Sequence, residues 1–254
     1  MFAPVVESGG LRCCGCVAGR YTYLVKTLLM NNFLKRSVAF FAAGICMISV
    51  NAQDGEKIFK PGDTQNWYVY LAKHVPGQDP GQVFQFEGDV LHVSGKEFGY
   101  ITTKKKYADF HLTLEFKWGE KKHPPRENAK RDAGILYHTD FYSGDKIWPR
   151  SLEFQIQEGD CGDFWMTDST VIIHNGTLTK AGNNVQVVKT KDAEKPRGEW
   201  NKVEVIVKNG EITHLLNGEV VNTGKLSNTK EGTIVLQSEG AEIYYRNVRV
   251  QEFK

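Results

Sequence analysis

Hydrophobic and polar residues alternate strictly over several stretches of the chain. From Asp109 to Trp118, Phe110, Leu112, Leu114, Phe116 and Trp118 share one parity, and His111, Thr113, Glu115 and Lys117 share the other. A period of two predicts a strand that covers a core with one face, because successive side chains leave a pleated strand on opposite sides. Ser151 to Gln157 repeats the pattern, with Leu152, Phe154 and Ile156 directed inward and Glu153, Gln155 and Gln157 outward. Val203, Val205 and Val207 alternate with Lys202, Glu204 and Lys208, Ile206 being the exception. Between such runs stand Glu87-Gly88-Asp89, Lys208-Asn209-Gly210 and Asn217-Gly218, which supply the positive φ that tight hairpins need.

Strands are therefore predicted near 83–86, 90–94, 98–103, 109–118, 133–139, 151–157, 170–173, 185–188, 200–208, 211–216, 219–222, 232–238 and 241–252. Almost no segment carries helical periodicity. Many short antiparallel strands with closely spaced turns mean an all-β sandwich or jelly roll. Two polar stretches, Gly119 to Arg131 and Glu158 to Thr170, interrupt the alternation and are predicted as long loops, the parts of a β-scaffold where function tends to sit.

The N-terminal region has a different pattern. After Lys35 and Arg36 comes an apolar run from Val38 to Val50, then Asn51-Ala52. The run is too short for a membrane span, and the positive start and small residues at its end predict a signal peptide cleaved after Ala52. The leader is thus 1–52, with 30–52 the signal peptide and 1–29 lying upstream of a second start Met, and the remainder, 53–254, is one domain directed to the periplasm or exterior. Cys46 offers a lipoprotein alternative, but Ile45 precedes it where a small residue is expected. Cys13, Cys14 and Cys16 lack a second ligand pair at zinc-site spacing. Beyond the leader only Cys161 remains, so no internal disulfide forms there and stability must come from a core. Of the 254 residues 41% are hydrophobic, and 32 Lys and Arg against 30 Asp and Glu leave a formal charge of +2, which argues against a nucleic-acid partner. The part after the leader holds no apolar segment of transmembrane length.

The row Glu153, Gln155, Gln157 spaces three polar groups about 6.7 Å apart on one strand face. An acid beside two amides suits sugar hydroxyls, the amides giving and accepting hydrogen bonds while the carboxyl handles a proton. An ordinary solvated sheet face is the competing reading. Trp148 and Trp165 flank the strand and can stack on a pyranose ring, with Arg150 beside them, although a Trp taken alone is more often a core residue than a stacking platform. His138 falls on the face opposite Ile135 and Tyr137, so it is expected on the Glu153 side as a proton carrier or metal ligand, or else as a structural histidine. A two-carboxylate glycosidase needs a second acid, for which Glu115, Glu158 and Asp160 are available. The run Glu158, Asp160, Asp163, Asp168 could offer oxygen ligands to a divalent ion, though without the spacing of the helix-loop-helix calcium loop.

Gly99-Tyr-Ile-Thr-Thr-Lys104, Tyr107-Ala-Asp-Phe-His-Leu112, Asp132-Ala-Gly-Ile-Leu-Tyr-His138, Leu152-Glu-Phe-Gln-Ile-Gln-Glu-Gly-Asp160, Gly198-Glu-Trp-Asn201, Leu216-Asn-Gly218, Gly232-Thr-Ile-Val-Leu-Gln237 and Tyr245-Arg-Asn-Val-Arg249 occur in this order. Together they resemble the 3-keto-disaccharide hydrolase family. The resemblance implies a concanavalin A-like or LamG-like jelly-roll β-sandwich of two antiparallel sheets, acting on glycosides first oxidised at C3 by a partner oxidoreductase. The ketone acidifies the C2 proton, so one base can remove it and the C1 substituent can leave. By the same resemblance Glu153 is a catalytic or substrate-binding acid, Gln155 and Gln157 hold hydroxyls, His138 is a second proton-transfer group or metal ligand, and Arg150 and Arg246 stabilise an enolate oxygen, the alternative for Arg246 being to brace the last strand. His138 stands where the family more usually carries arginine. The alternative function is a non-catalytic carbohydrate-binding module, and the third a purely structural surface domain.

Overall fold

The computed structural model describes residues 55–141 and 144–253. The leader, with its cleavage site and cysteines, lies outside the described residues. The described chain is built from strands, without helix, and all its pairings are antiparallel. One sheet runs in the order β11 (Thr177–Leu178), β10 (Ile172–His174), β15 (Glu219–Leu226), β14 (Glu211–Leu216), β13 (Asn201–Lys208), β6 (Phe110–Lys122), β17 (Ala241–Glu252), β4 (Val90–Val93), β3 (Phe84–Glu87), with β1 (Glu56–Lys57) also paired to β17. The other runs β12 (Val185–Val187), β9 (Phe164–Thr167), β8 (Arg150–Gln157), β7 (Asp132–Asp140), β16 (Thr233–Ser238), β5 (Gly99–Thr103), β2 (Trp67–Leu71). The fold is a jelly-roll sandwich of these two sheets.

The alternation read from the sequence decides what lies between the sheets. Phe110, Leu112, Leu114, Phe116 and Trp118 of β6 and Val203, Val205 and Val207 of β13 meet Leu152, Phe154 and Ile156 of β8 and Ala133, Ile135 and Tyr137 of β7 in one core. Burying a Leu, Phe or Val side chain contributes about 1.5–3 kcal/mol. His214 is also buried there, between Phe154 and Phe164, accepting a hydrogen bond from the Tyr137 hydroxyl at 2.9 Å while its Nδ1–H donates to the Gly162 carbonyl at 3.2 Å. Desolvation lowers its pKa to about 3, so it is held neutral.

Three strand expectations need correction, besides the two-residue strands β1 and β11, which were not predicted. β6 continues to Lys122, shortening the predicted loop, and β9 occupies the middle of the stretch predicted as the second loop. β2, which was not predicted, forms the edge of the seven-stranded sheet, with Val69 and Leu71 buried. Among the described residues no helix is long and apolar enough to cross a membrane.

Candidate active site

The outer face of the seven-stranded sheet carries three rows of side chains set by strand register. Trp165 of β9 lies across from Glu153 of β8. One step along β8, Gln155 faces Gly134 of β7; one further, Gln157 faces Asp132. Gln237 of β16 lies beside Gly134, because its neighbour Leu236 pairs with Ile135. Glu153 and Gln157 are four residues apart, so about 13 Å of strand separates the backbones of the first and third rows. These residues, with Trp148, Arg126 and Glu239, line a groove of about 350 Å³. That volume is within the usual range for small-molecule sites.

Gly134 makes the middle of the groove possible. A Cβ there would sit 1.9 Å from Oε1 of Glu153 and 2.3 Å from Oε1 of Gln237, so the two oxygens converge over bare backbone. Glu153 is only 7% exposed and no cation pairs with it among the described residues. Burial, with the charges of Glu239 and Asp132 adding, pushes its carboxyl well above the usual carboxylate range and so favours its protonated form.

At the third row the loop between β6 and β7 enters. His123 N–H donates to the Gly240 carbonyl at 2.7 Å, fixing the loop against the turn after β16 and bringing Arg126 between two acids. Its Nη1 donates to Glu239 at 3.2 Å and its Nη2 to Asp132. Asp132 also accepts from the amides of Gln155, at 3.1 Å, and Gln157. Desolvation raises both acids, Asp132 to about 6 and Glu239 to about 8, with the charge of Asp132 adding at Glu239 and Arg126 pulling both back. Two carboxyls sharing one guanidinium ionise as a pair, in two steps. Buried polar atoms without a protein partner, Trp165 Nε1, Gln237 Oε1 and Arg126 Nε, belong to groove-lining side chains and are placed to suit hydroxyl groups.

Glu153, Gln155, Gln157, Trp148 and Trp165 are thus brought together as expected. His138 is not. A bulge between Tyr137 and Asp140 gives His138 a φ of 50°, breaks the alternation and turns its ring into the core beside Phe110 and Tyr137. It is fully buried, its Nε2–H donates to the Ala108 carbonyl at 2.9 Å, and desolvation lowers its pKa. Arg150 has the parity of Leu152 rather than of Glu153, and reaches the Asn228 carbonyl at 2.8 Å. Arg246 belongs to the opposite sheet, where it clasps Glu115 through two bonds of 2.9 and 3.0 Å and stacks 4.0 Å from the centre of the Trp200 ring.

The second acids also differ from expectation. Glu115 is that partner of Arg246, Glu158 pairs with Arg131 and Asp160 with Lys130, whereas the groove's additional carboxyls are Asp132 and Glu239. In the acidic run considered for a divalent ion, Asp163 binds the Gln186 amide and the Lys189 N–H, and Asp168 pairs with Lys146. No cluster of three metal-ligating side chains occurs among the described residues. Asp132 could have been found from the sequence, since the period of two counted back from Gly134 puts it on the Glu153 face. Glu239 and Arg126 sit in loops, where periodicity carries no such information.

The fold is shared with solved structures. A protein of Parabacteroides distasonis assigned as a glycosyl hydrolase superposes with a TM-score of 0.52 at 20% identity, covering 76% of this chain and 90% of its own. A β-glucanase of Bacillus licheniformis gives 0.51 at 10% identity, covering 78% and 97%. A carbohydrate-binding module of Bacillus subtilis gives 0.50 at 10% identity, covering 74% and 96%. At these identities the likeness is one of fold. No curated protein matches the chain. Residues 54–251, which include all of the groove, match the 3-keto-alpha-glucoside-1,2-lyase-like domain, and the chain belongs to that family.

Proposed function

We propose that the protein is an exported carbohydrate-active lyase or hydrolase that cleaves 3-keto-glycosides. The observation that carries this reading is the division of labour among three carboxyls in one groove. Burial favours the protonated form of Glu153, whereas the Asp132–Glu239 pair around Arg126 titrates near neutrality. An acid and a base in one groove are what elimination beside a ketone requires.

With a pyranose in the groove, the Asp132–Glu239 pair takes the proton from C2, and the electron pair of that C–H bond moves into the ring to give the enolate of the C3 ketone. The enolate then re-forms the ketone as a C1–C2 double bond appears and the C1–oxygen bond breaks, the departing oxygen taking the proton of Glu153. Addition of water across the double bond completes a net hydrolysis. Arg126 supplies positive charge at the site where the enolate oxygen develops, and Trp148 and Trp165 hold the apolar ring face. A buried carboxyl without a cation is poorly suited to remain ionised, so Glu153 serves as the proton donor and the base at C2 comes from the Asp132–Glu239 pair. An oxidoreductase acting at C3 of a glycoside must supply the substrate.

A carbohydrate-binding module would account for the two tryptophans but has no use for three carboxyls in one groove, two of them sharing one arginine. The discriminating experiment gives the purified protein a 3-keto-glucoside and its unoxidised parent, with and without a chelator, and follows aglycone release. Cleavage of the keto form alone is expected, with Glu153→Gln losing turnover while retaining binding. Binding of both sugars with cleavage of neither overturns the enzyme reading.

A further inference from the structure

A second cavity, of about 600 Å³, lies at the β2 edge of the same sheet. Tyr68 faces the groove side of that sheet. Register connects it to Glu153 through Thr102, Val235 and Leu136, four strand spacings or roughly 19 Å away. The space between is closed by an apolar island, Tyr100, Leu136 and Val235, against which Phe141 packs, so the cavity is separate from the groove.

Its walls combine aromatic surface with a fixed acceptor. Trp67, Tyr68 and Phe84 supply ring surface. Asp145 is held by two hydroxyls, Tyr68 donating at 2.6 Å and Tyr100 at 3.1 Å, both to Oδ1. Oδ2 takes neither of these bonds. Thr64 lies exposed at the rim, its carbonyl tied to the Lys104 ammonium at 2.9 Å. Ring faces for C–H surfaces beside an oriented carboxylate oxygen for hydroxyls are the requirements of a neutral pyranose. Lys104, Asp79 and Asp145 leave no strong excess of charge, and Asp79 is spent accepting from the N–H groups of Val83 and Phe84.

We propose that this cavity is a second carbohydrate-binding site, taking neutral sugar units of a glycan apart from the reaction in the groove. The test measures binding of cellohexaose, laminarihexaose and maltohexaose to the full chain by calorimetry, with cleavage of a small 3-keto-glucoside followed in parallel. Thr64→Trp fills the cavity from its rim without touching the Tyr68–Asp145–Tyr100 bonds, and Asp145→Asn changes the acceptor. At least one hexaose is expected to bind, both variants weakening it about tenfold or more, the loss of a charged hydrogen bond being of that size. Cleavage of the small substrate should stay at the wild-type level in Thr64→Trp.

The proposal is overturned if no hexaose binds, if a folded Thr64→Trp protein binds as the wild type does, or if only Trp165→Ala removes binding. Should the wild type cleave no keto-glycoside while Thr64→Trp still abolishes hexaose binding, the second site stands and the catalytic reading falls.

Discussion

Each sheet carries an arginine among carboxylates on its outer face, and the two arrangements have opposite electrostatics. On the ten-stranded sheet Arg246 meets one acid, Glu115, through two parallel bonds, and Asn247 adds a third at 2.7 Å. The hydrogen bond from Arg246 is the main cause that holds Glu115 below the usual carboxylate range. On the seven-stranded sheet Arg126 is divided between Asp132 and Glu239 while Glu153 has no cation, and all three carboxyls are raised. One cation per acid gives a closed, structural pair. One cation for three acids leaves protons that can be exchanged near pH 7, which is the condition for general acid–base work.

Breaking the second arrangement should have the largest effect. Replacing Glu239 by Gln and Asp132 by Asn, singly, is expected to lower turnover of a 3-keto-glycoside by about a hundred- to ten-thousand-fold, measured as kcat, with folding retained. Next comes Gly134→Ala, whose new methyl would displace the carboxyl of Glu153 and the amide of Gln237 but reach only the ends of flexible side chains. A loss of about a hundredfold in kcat with a small change in Tm is expected, since a misplacement of about 1 Å is enough. A mutant that keeps full activity would show that the position of Glu153 does not matter.

The pH dependence of stability sharpens the contrast further. Asp132 and Glu239 have folded-state pKa values above their unfolded ones, so their contribution is complete below about pH 4 and is lost as pH rises through about 6 and 8. His214 has the reverse displacement, and its contribution is present above about 6.5, the unfolded value, and declines as pH falls toward 3. Thermal melts should therefore be highest in mildly acidic buffer and fall on both sides, and Glu239→Gln should flatten the alkaline limb alone. The smallest effect belongs to the closed pair. Arg246→Met should cost about 1 kcal/mol or less, because that pair is partly exposed, and leave turnover unchanged.

The sequence carried the parts of this contrast that follow a period of two. Phe110 to Trp118 and Leu152 to Ile156 announced the core, and the opposite parity announced Glu153, Gln155 and Gln157. The same rule failed at His138, because a bulge is one extra residue that reverses parity without a distinctive residue to mark it. β9 was hidden because four strand residues follow Gly-Asp-Cys-Gly-Asp, whose turn chemistry dominates the local pattern. Arg126 and Glu239 depend on a loop pinned to a distant turn through backbone atoms, and side-chain spacing holds no record of that contact.

The position of β16 between β7 and β5 has a bearing on how the protein comes into being. Thr102 and Thr233, hydrogen-bonded at 3.1 Å, are 131 positions apart, and Gln237 and Glu239 follow shortly after Thr233. A nascent chain that has already made Arg126, Asp132 and Glu153 still lacks one wall of the groove and the strand that joins the two halves of the sheet. Pairings of such separation form late, and sandwiches of this kind fold in milliseconds to seconds. Catalytic competence should then arise in a single late step of maturation, and a protease cut between β15 and β16 would abolish it however intact the earlier strands remained.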